Sequence, residues 1–562
     1  MSPSEEPGGW SALRASQPPK FTWYPVVLAL MAGCAQAASL AWPLASDNSV
    51  FQLLGLRLGQ PVWWLQLLAL GGLAWLLEGS RAQGRVSWRL AALWGWVFAT
   101  AWLAFTFWWT FVALHTYGGL PLLLATLAVL VLAGLLALFY AAACWSFSAL
   151  VPVQRSFSAI FFAALWLLAE LVRGTWLTGF GWGAVGYAHV TGPLAGFAPS
   201  IGMYGECALA AWLAMTLAQA VHRAHGSVWR QHVGGLISIL VLFALPFIYQ
   251  TVAPAPTQSS GRLSVTLLQG NIPQDEKFEV GSGVPLALQW YAEQLHSSRT
   301  ALVIAPETAV PVLPQQLPPA YWNGLQQRFA SGQQAALIGT PLGNSQEGYT
   351  NSVWGLKPGQ AQPWRYDKQH LVPFGEFIPP LFKWFTAMMH IPLGDFNRGA
   401  LWQPPFEWQG QRIAPNICYE DLFSEELALQ FADPAQAPTL FVNISNLAWF
   451  GNSMAMDQHL QIARMRALEF ARPFVLATNT GVTAIVDYQG RVQNSLTRNT
   501  RGVLESDVEG RTGVTPYGTW LAHLGLWPFW LLALGLVGLA ARQSLRQRAC
   551  VKHASSGART PP

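Results

Sequence analysis

Charge is what this chain has least of: Asp, Glu, Lys and Arg make up 10% of its 562 residues, against about a quarter in ordinary soluble domains. The formal net charge is only +5 and is not gathered into a basic stripe, which excludes a nucleic-acid surface. Cysteine is nearly as scarce. Of five, Cys34, Cys144 and Cys207 lie in apolar runs, Cys550 lies in a basic C-terminal tail, and Cys418 stands alone in the long polar segment. A disulfide framework is therefore excluded there, and Cys418 is either a buried apolar filler or a reactive thiol. There is no HExxH motif, no paired Cys/His spacing and no phosphate-binding glycine loop, so neither a metal nor a diffusible cofactor is expected.

What the chain has in excess is apolar residues, 52% of the total with 29 Trp, a membrane-protein composition. Apolar runs near 20 residues occur at about 24–42, 61–78, 91–113, 119–150, 158–174, 199–220, 234–250 and 520–540, which predicts eight transmembrane helices. The first run contains "LALMAGCAQAAS", similar to a cleavable leader, but its apolar character continues to Trp42, so an uncleaved anchor is expected. Lys and Arg favour one side. Arg14, Lys20, Arg81, Arg85, Arg89, Arg155, Arg223, Arg230, Arg542, Arg546, Arg548, Lys552 and Arg559 share it, against Arg57 and Arg173 opposite. The bias predicts both termini in the cytoplasm and the polar insert facing outward. The expected division is a membrane domain at 1–253, an outward-facing domain at 254–515, an eighth span at 516–541 and a basic tail at 542–562.

Within the insert, short β-rich runs at 263–272, 301–307, 335–341, 412–420, 439–446, 473–480 and 483–490 alternate with helical patterns at 285–298 and 456–471. Near-continuous apolar strands suit a sheet buried on both faces, an α/β domain sandwiched between helices. Reactive groups in such folds gather at strand C-terminal ends. Glu307 closes "ALVIAPE", Cys418 closes "RIAPNIC", and Lys368 lies in a Pro- and Gly-rich segment. The stretch from about 343 to 411 reads as one long loop, too long for a plain connector.

The segments "APETAVP" (305–311), "YDKQHLVPFGEFIP" (366–379), "NICYED" (416–421) and "NISNLAWFG" (443–451) resemble, in this order, the nitrilase-like carbon–nitrogen hydrolases. With the apolar spans, the chain is similar to their membrane branch, the apolipoprotein N-acyltransferases. The resemblance implies an αββα nitrilase-like domain inserted into a multi-pass helical domain. It implies a catalytic triad of Glu307, Lys368 and Cys418, supported by Glu376, Tyr419 and Glu420. By the same likeness the substrates are a phospholipid acyl donor, phosphatidylethanolamine, and a diacylated apolipoprotein acceptor in a bacterial inner membrane. Two positions depart from the family pattern: Phe278 follows Lys277 where Trp is common, and Leu447 stands where Asp is frequent. Phe278 and Trp449 are expected to touch substrate. So are Phe382, Trp384 and Phe385 of "PPLFKWFTAMMHIPLGDF" (379–396), read as an arm dipping into the bilayer.

The chemistry suits these residue types. A thiol with pKa about 8.5 is only a few per cent thiolate at neutral pH. It needs a base, here Glu307, and a cation for the thiolate and oxyanion, here Lys368. His370 is read as loop packing and Asp421 as a local hydrogen-bonding residue. Trp176, Trp182 and Tyr187 are expected at headgroup depth, with Glu170 and Arg173 as an ion pair of either functional or structural purpose. Two other activities share these features: a membrane-tethered amidase in which water resolves the thioester, and a transporter or receptor with an outward binding domain.

Overall fold

The computed structural model of the protein describes residues 23–82, 87–150, 155–224, 240, 243–244, 256–360, 362–378 and 396–557. In chain order the principal helices of the membrane part are α1 (Tyr24–Leu40), α2 (Trp63–Ala82), α3 (Trp88–Thr106), α4 (Leu122–Leu150), α5 (Arg155–Thr175) and α6 (Ala198–Ala224). Among the described residues four helical segments are long and apolar enough to cross a membrane: Leu122–Leu150, Phe157–Thr178, Pro193–His222 and Trp527–Arg546. A fifth is possible if α3 and the following Thr110–Tyr117 segment, bent by 61°, form one broken span. The expected eight spans are thus met only in part. The α1 helix has 17 residues, about 25 Å at 1.5 Å per residue, short of a hydrocarbon core of about 30 Å. Most of the expected span at 234–250 lies outside the described residues.

The insert contains twelve strands among the described residues, in two six-stranded sheets. The first sheet has the order β12-β1-β2-β3-β4-β5, with β1 at Thr257–Gln269, β2 at Leu302–Ile304, β3 at Ala335–Asn344, β4 at Gly348–Leu356, β5 at Trp364–Asp367 and β12 at Gly502–Gly513. The second has the order β11-β10-β9-β8-β7-β6, with β6 at Phe406–Trp408, β7 at Gln411–Ile417, β8 at Leu440–Ser445, β9 at Phe474–Thr478, β10 at Ala484–Val486 and β11 at Val492–Ser495. Each sheet centres on three parallel strands, β1-β2-β3 and β7-β8-β9. The remaining strands join antiparallel at the margins.

Parallel strands are covered on both faces, and the apolar runs show why these are. Val265, Leu267, Leu302, Ile304 and Leu337 of the first sheet meet Ile413, Ile417, Val442, Ile444 and Val475 of the second in one buried layer. The opposite side chains of the first sheet pack beneath α7 (Gly283–Ser297) and α8 (Pro319–Ala330). Those of the second pack beneath α9 (Ala455–Phe470), whose other side continues into the apolar core of the membrane helices. The architecture is the expected αββα sandwich.

Several details differ from expectation. The presumed loop from 343 to 411 contains β4, β5 and β6. Trp182 and Tyr187 are not open to lipid: both are buried between the membrane helices and α9, whereas Trp176 is exposed. The Glu170–Arg173 pair is fully buried at 2.7 Å. The Arg173 guanidinium also donates to the Tyr140 hydroxyl and to the carbonyls of Phe180 and Trp182, so it pins the loop after α5. The chain's last apolar run divides into α10 (Pro516–Leu524), whose Tyr517 and Leu521 are buried, and α11 (Trp527–Gly557). Residues 379–395, the bulk of the expected arm with Phe382, Trp384 and Phe385, lie outside the described residues.

Candidate active site

Strand β2 ends at Ile304, and three residues later Glu307 turns into the seam between the sheets. The neighbouring β3 must pass very close: a Cβ on Gly339 would lie 2.3 Å from the Pro306 carbonyl and 2.8 Å from Cα of Glu307. Glycine is therefore the residue that fits there. One carboxylate oxygen of Glu307 accepts from Asn351 Nδ2 at 2.7 Å and the other from the backbone N–H of Asn446 at 2.9 Å. The first bond comes from the first sheet and the second from the chain just after β8, so Glu307 bridges the two halves of the sandwich.

Lys368 follows β5. Its backbone is held on both sides, its N–H donating to the Asn351 carbonyl and its carbonyl accepting from the Gly399 N–H. The ammonium lies 2.9 Å from Glu376 and 3.5 Å from Glu307, with the side chain 1% exposed. Burial works against its charge, but Glu376, Glu307 and Cys418 outweigh that and hold it well above the usual lysine range. It is therefore a permanent cation. Glu376 is itself oriented by Asn351 Nδ2 and by the N–H of Val372.

Glu420 ties the lysine segment to the end of β7. It accepts from the Ile417 N–H and the Tyr366 hydroxyl on one oxygen and from the Gln369 and His370 N–H groups on the other. Burial raises its carboxyl to about 7, opposed by those donors and by Lys368.

Cys418 is the first residue past β7, at the start of the 3-10 turn Cys418–Leu422, and its φ is +53°. A left-handed conformation costs a non-glycine residue about 1–2 kcal/mol, and such strain is found where a side chain must be aimed. Burial pushes the thiol well above its ordinary value and Glu307 adds to this, while Lys368 pulls it back. The resting group is then a thiol, and attack on a carbonyl requires its proton to be taken by a base. Glu307 and Lys368 are among the charges that act most strongly on it.

The structure brings Glu307, Lys368, Cys418, Glu376 and Glu420 into one site. Tyr419 is turned away from it: its hydroxyl donates to the Gly179 carbonyl of the membrane part at 2.8 Å. Gly179 has φ +79°, and a Cβ there would meet the Gly174 carbonyl at 2.1 Å, so only glycine presents that carbonyl. Phe278 and Trp449 are half exposed, the latter edge-on to Tyr117 of the membrane part. Leu447 is buried, so the position that is often Asp in the family is here an apolar contact. His370 stacks on Phe423 with centroids 3.5 Å apart and contacts Glu426, in keeping with loop packing.

Three residues at the site were not singled out from sequence. Asn351 and Asn446 orient Glu307 as described. Lys277 is buried and donates to the Glu307 carbonyl at 3.1 Å. Burial lowers its pKa to about 8, against the opposing pull of Glu307 and Cys418. A lysine set between the short strand-ending run "QGNIP" and an exposed aromatic was the available signal.

Beneath the site the membrane part presents aromatic rings. Phe107 and Phe180 pack at 4.6 Å, Trp109 and Phe450 at 4.3 Å, and Phe180 stacks toward Tyr419 at 6.3 Å.

Residues 53–216 match the apolipoprotein N-acyltransferase N-terminal domain, and residues 264–517 match the carbon-nitrogen hydrolase family. The chain is 54% identical over 524 residues to the apolipoprotein N-acyltransferase of Verminephrobacter eiseniae, covering 90% of this chain and 94% of that one. It is 43% identical over 492 residues to the enzyme of the same name from Ralstonia nicotianae, covering 87% and 90%. A solved carbon-nitrogen hydrolase from Helicobacter pylori superposes with a TM-score of 0.33 at 14% identity, over 48% of this chain and 94% of that one. With both of its parts matched in order and its relatives aligned over nearly their whole length, this chain is an enzyme of the apolipoprotein N-acyltransferase family.

Proposed function

We propose that the protein transfers an acyl chain from a phospholipid, phosphatidylethanolamine, to the N-terminal amine of a diacylglyceryl-cysteine lipoprotein, by way of a thioester on Cys418. In the first step the sulfur attacks the ester carbonyl while Glu307 takes the thiol proton. Lys368, with a backbone N–H, stabilises the oxyanion, an interaction whose loss typically costs about 100- to 1000-fold in rate. The ester C–O bond breaks, and Glu307 returns the proton to the departing lysophospholipid oxygen. In the second step the amine attacks the thioester and loses a proton to Glu307. The C–S bond breaks and the thiol is restored. The products are a lysophospholipid and an amide-linked triacylated lipoprotein, released in ping-pong order.

The observation that carries this reading is the seam itself. A buried carboxylate and ammonium, 3.5 Å apart, act on a strained, protonated thiol. A water-soluble amidase has no use for the apolar helices fused to that seam. We assign the catalytic domain to 254–515, on the outward face of the membrane, with both termini cytoplasmic.

The test is intact mass spectrometry of the purified enzyme after incubation with acyl-labelled phosphatidylethanolamine, followed by a diacylated lipopeptide. A mass gain of one acyl group on Cys418, absent in Cys418→Ala and discharged onto the peptide amine, is the expected result. Release of free fatty acid without N-acylated peptide would instead assign a hydrolase.

A further inference from the structure

We infer that His459 and Asp421 form a buried pair that positions Cys418, and that the membrane part reaches the nucleophile through it. His459 lies on α9, and its Nε2 is 3.0 Å from Oδ2 of Asp421, with side-chain exposures of 1% and 0%. Asp421 belongs to the same 3-10 turn as Cys418. The carbonyl of Cys418, at the head of that turn, accepts from Asn443 Nδ2 at 3.0 Å. A residue held at φ +53° relaxes unless its neighbours over-determine it. The Asn443 donor on its carbonyl, together with the His459 contact to Asp421, the fourth residue of the turn, does so.

Neither Asp421 oxygen finds a hydrogen-bond donor of good geometry among the described residues. A carboxylate removed from water needs a cation against it; the imidazole at 3.0 Å lies against it, with Arg466 of the same helix also acting on Asp421. Burial opposes charge on the ring, yet Asp421 and the Cys418 backbone outweigh it and favour the protonated form. Neither side chain is needed at the reacting atoms. Both act through the placement of the Cys418 backbone, and hence of Sγ relative to Glu307 and Lys368.

The other face of the imidazole lies flat on Trp182, with centroids 5.9 Å apart and planes 10° apart. Gln458, the preceding residue, accepts from the indole N–H groups of Trp182 and Trp109 and reaches the Thr106 carbonyl with its amide nitrogen. The end of α3, the bend after it and the loop after α5 therefore converge on two consecutive residues of α9, one of which contacts Asp421 in the nucleophile's turn.

This inference rests on Cys418 being the nucleophile, and the experiment separates the two claims. Full-length enzyme in detergent micelles is assayed for single-turnover acylation of Cys418 by labelled phosphatidylethanolamine, for alkylation of Cys418 by iodoacetamide, and for its melting temperature. Asp421→Asn and His459→Phe are expected to slow both acylation and alkylation by about 10- to 100-fold, the scale of a misplaced reacting atom. The phospholipid concentration giving half-maximal rate should not change. His459→Gln keeps a donor facing Asp421 and should recover part of the loss. Rates within about twofold of wild type for Asp421→Asn and His459→Phe would overturn the inference. So would a change confined to half-saturation, or failure of both Asp421→Asn and His459→Gln to fold, which would mark the pair as a support of the domain alone. Absence of any adduct in the wild type would instead overturn the thioester reading.

Discussion

The two sheets of the sandwich have similar strand patterns and opposite surroundings. The first is covered by α7 and α8, whose outer faces carry exposed residues. The second is covered by α9, in which every residue but Asp457 is buried, because the membrane part closes over its far side. The candidate site is divided along the same line. Glu307 and Lys368 come from the freely covered sheet, and Cys418 comes from the anchored one. The proposed proton-handling groups thus sit on the outer half of the sandwich, while the proposed nucleophile sits on the half against which the membrane helices pack.

The largest expected effect comes from emptying one half of the site while leaving the other intact. Glu307→Gln should lower the acylation rate by at least about 100-fold, the low end for loss of a general base. Folding should persist, because the amide oxygen still accepts from one of the two donors, Asn351 Nδ2 or the Asn446 N–H, and loss of the other bond costs about 1.5–3 kcal/mol. Lys368→Met should cost a similar factor through the oxyanion, and it also leaves Glu376 without its cation, so its melting temperature should fall further. If both variants kept near-wild-type acylation in a single-turnover assay, the division of labour between the sheets would be wrong.

The next effect tests the strap between the halves. Glu420 accepts four hydrogen bonds, from Tyr366, Gln369 and His370 on the lysine side and from Ile417 on the cysteine side. In Glu420→Gln one oxygen becomes a donor facing donors. Each hydrogen bond to a charged acceptor contributes about 1.5–3 kcal/mol, so denaturant unfolding should show a loss of at least that size. Acylation should fall as the Lys368 segment loosens from Cys418. A smaller effect is expected for Tyr419→Phe, which removes the single bond to the Gly179 carbonyl, worth about 1 kcal/mol. It should leave the α/β domain intact and show as faster proteolysis or hydrogen exchange in the 174–182 loop.

How much of this was legible in the sequence follows the same division. The central parallel strands were readable because burial on both faces makes them continuous apolar runs, as in "LVI" and "LFVNIS". Marginal strands were not. β12 reads "GVLESDVEGRTG", with alternating exposed residues over its first half, and β4 sets Asn351, which faces the site, between Thr350 and Ser352, which bond Asp367. Glu307, Lys368 and Cys418, which the fold brings together, were legible from the family-like motifs that hold them. Asn351 and Lys277 were not, since a buried polar residue looks like a surface one until its partners are known. The burial of Trp182 and Tyr187 was missed for the converse reason. An amphipathic aromatic suits a bilayer interface and a domain interface equally, and only the fold showed that α9 fills the space above them.

The smallest expected effect is a matter of pH, and it falls on the anchored side. Glu425 follows the Cys418 turn, is half-buried, and has one inaccessible oxygen without a hydrogen-bond partner among the described residues. Burial raises its carboxyl from 4.5 to about 7, a shift that its own backbone hydrogen bond opposes and the neighbouring Glu426 reinforces. Glu469, on the same side, is raised to about 7 by burial as well. A carboxyl raised on folding binds its proton more tightly in the native state. Its contribution is therefore fully present below about pH 4.5 and is lost as the pH climbs through about 7. Melting temperature should fall between about pH 5 and pH 8, by about 2–4 °C per kcal/mol for a domain of this size. Glu425→Gln cannot ionise, so its melting curve should be flatter than wild type over that range, with the gap between them widest at the alkaline end. If the two curves ran parallel, Glu425 would be ionised in its place beside the membrane helices. The anchored half would then tolerate buried charge as readily as the half that faces water.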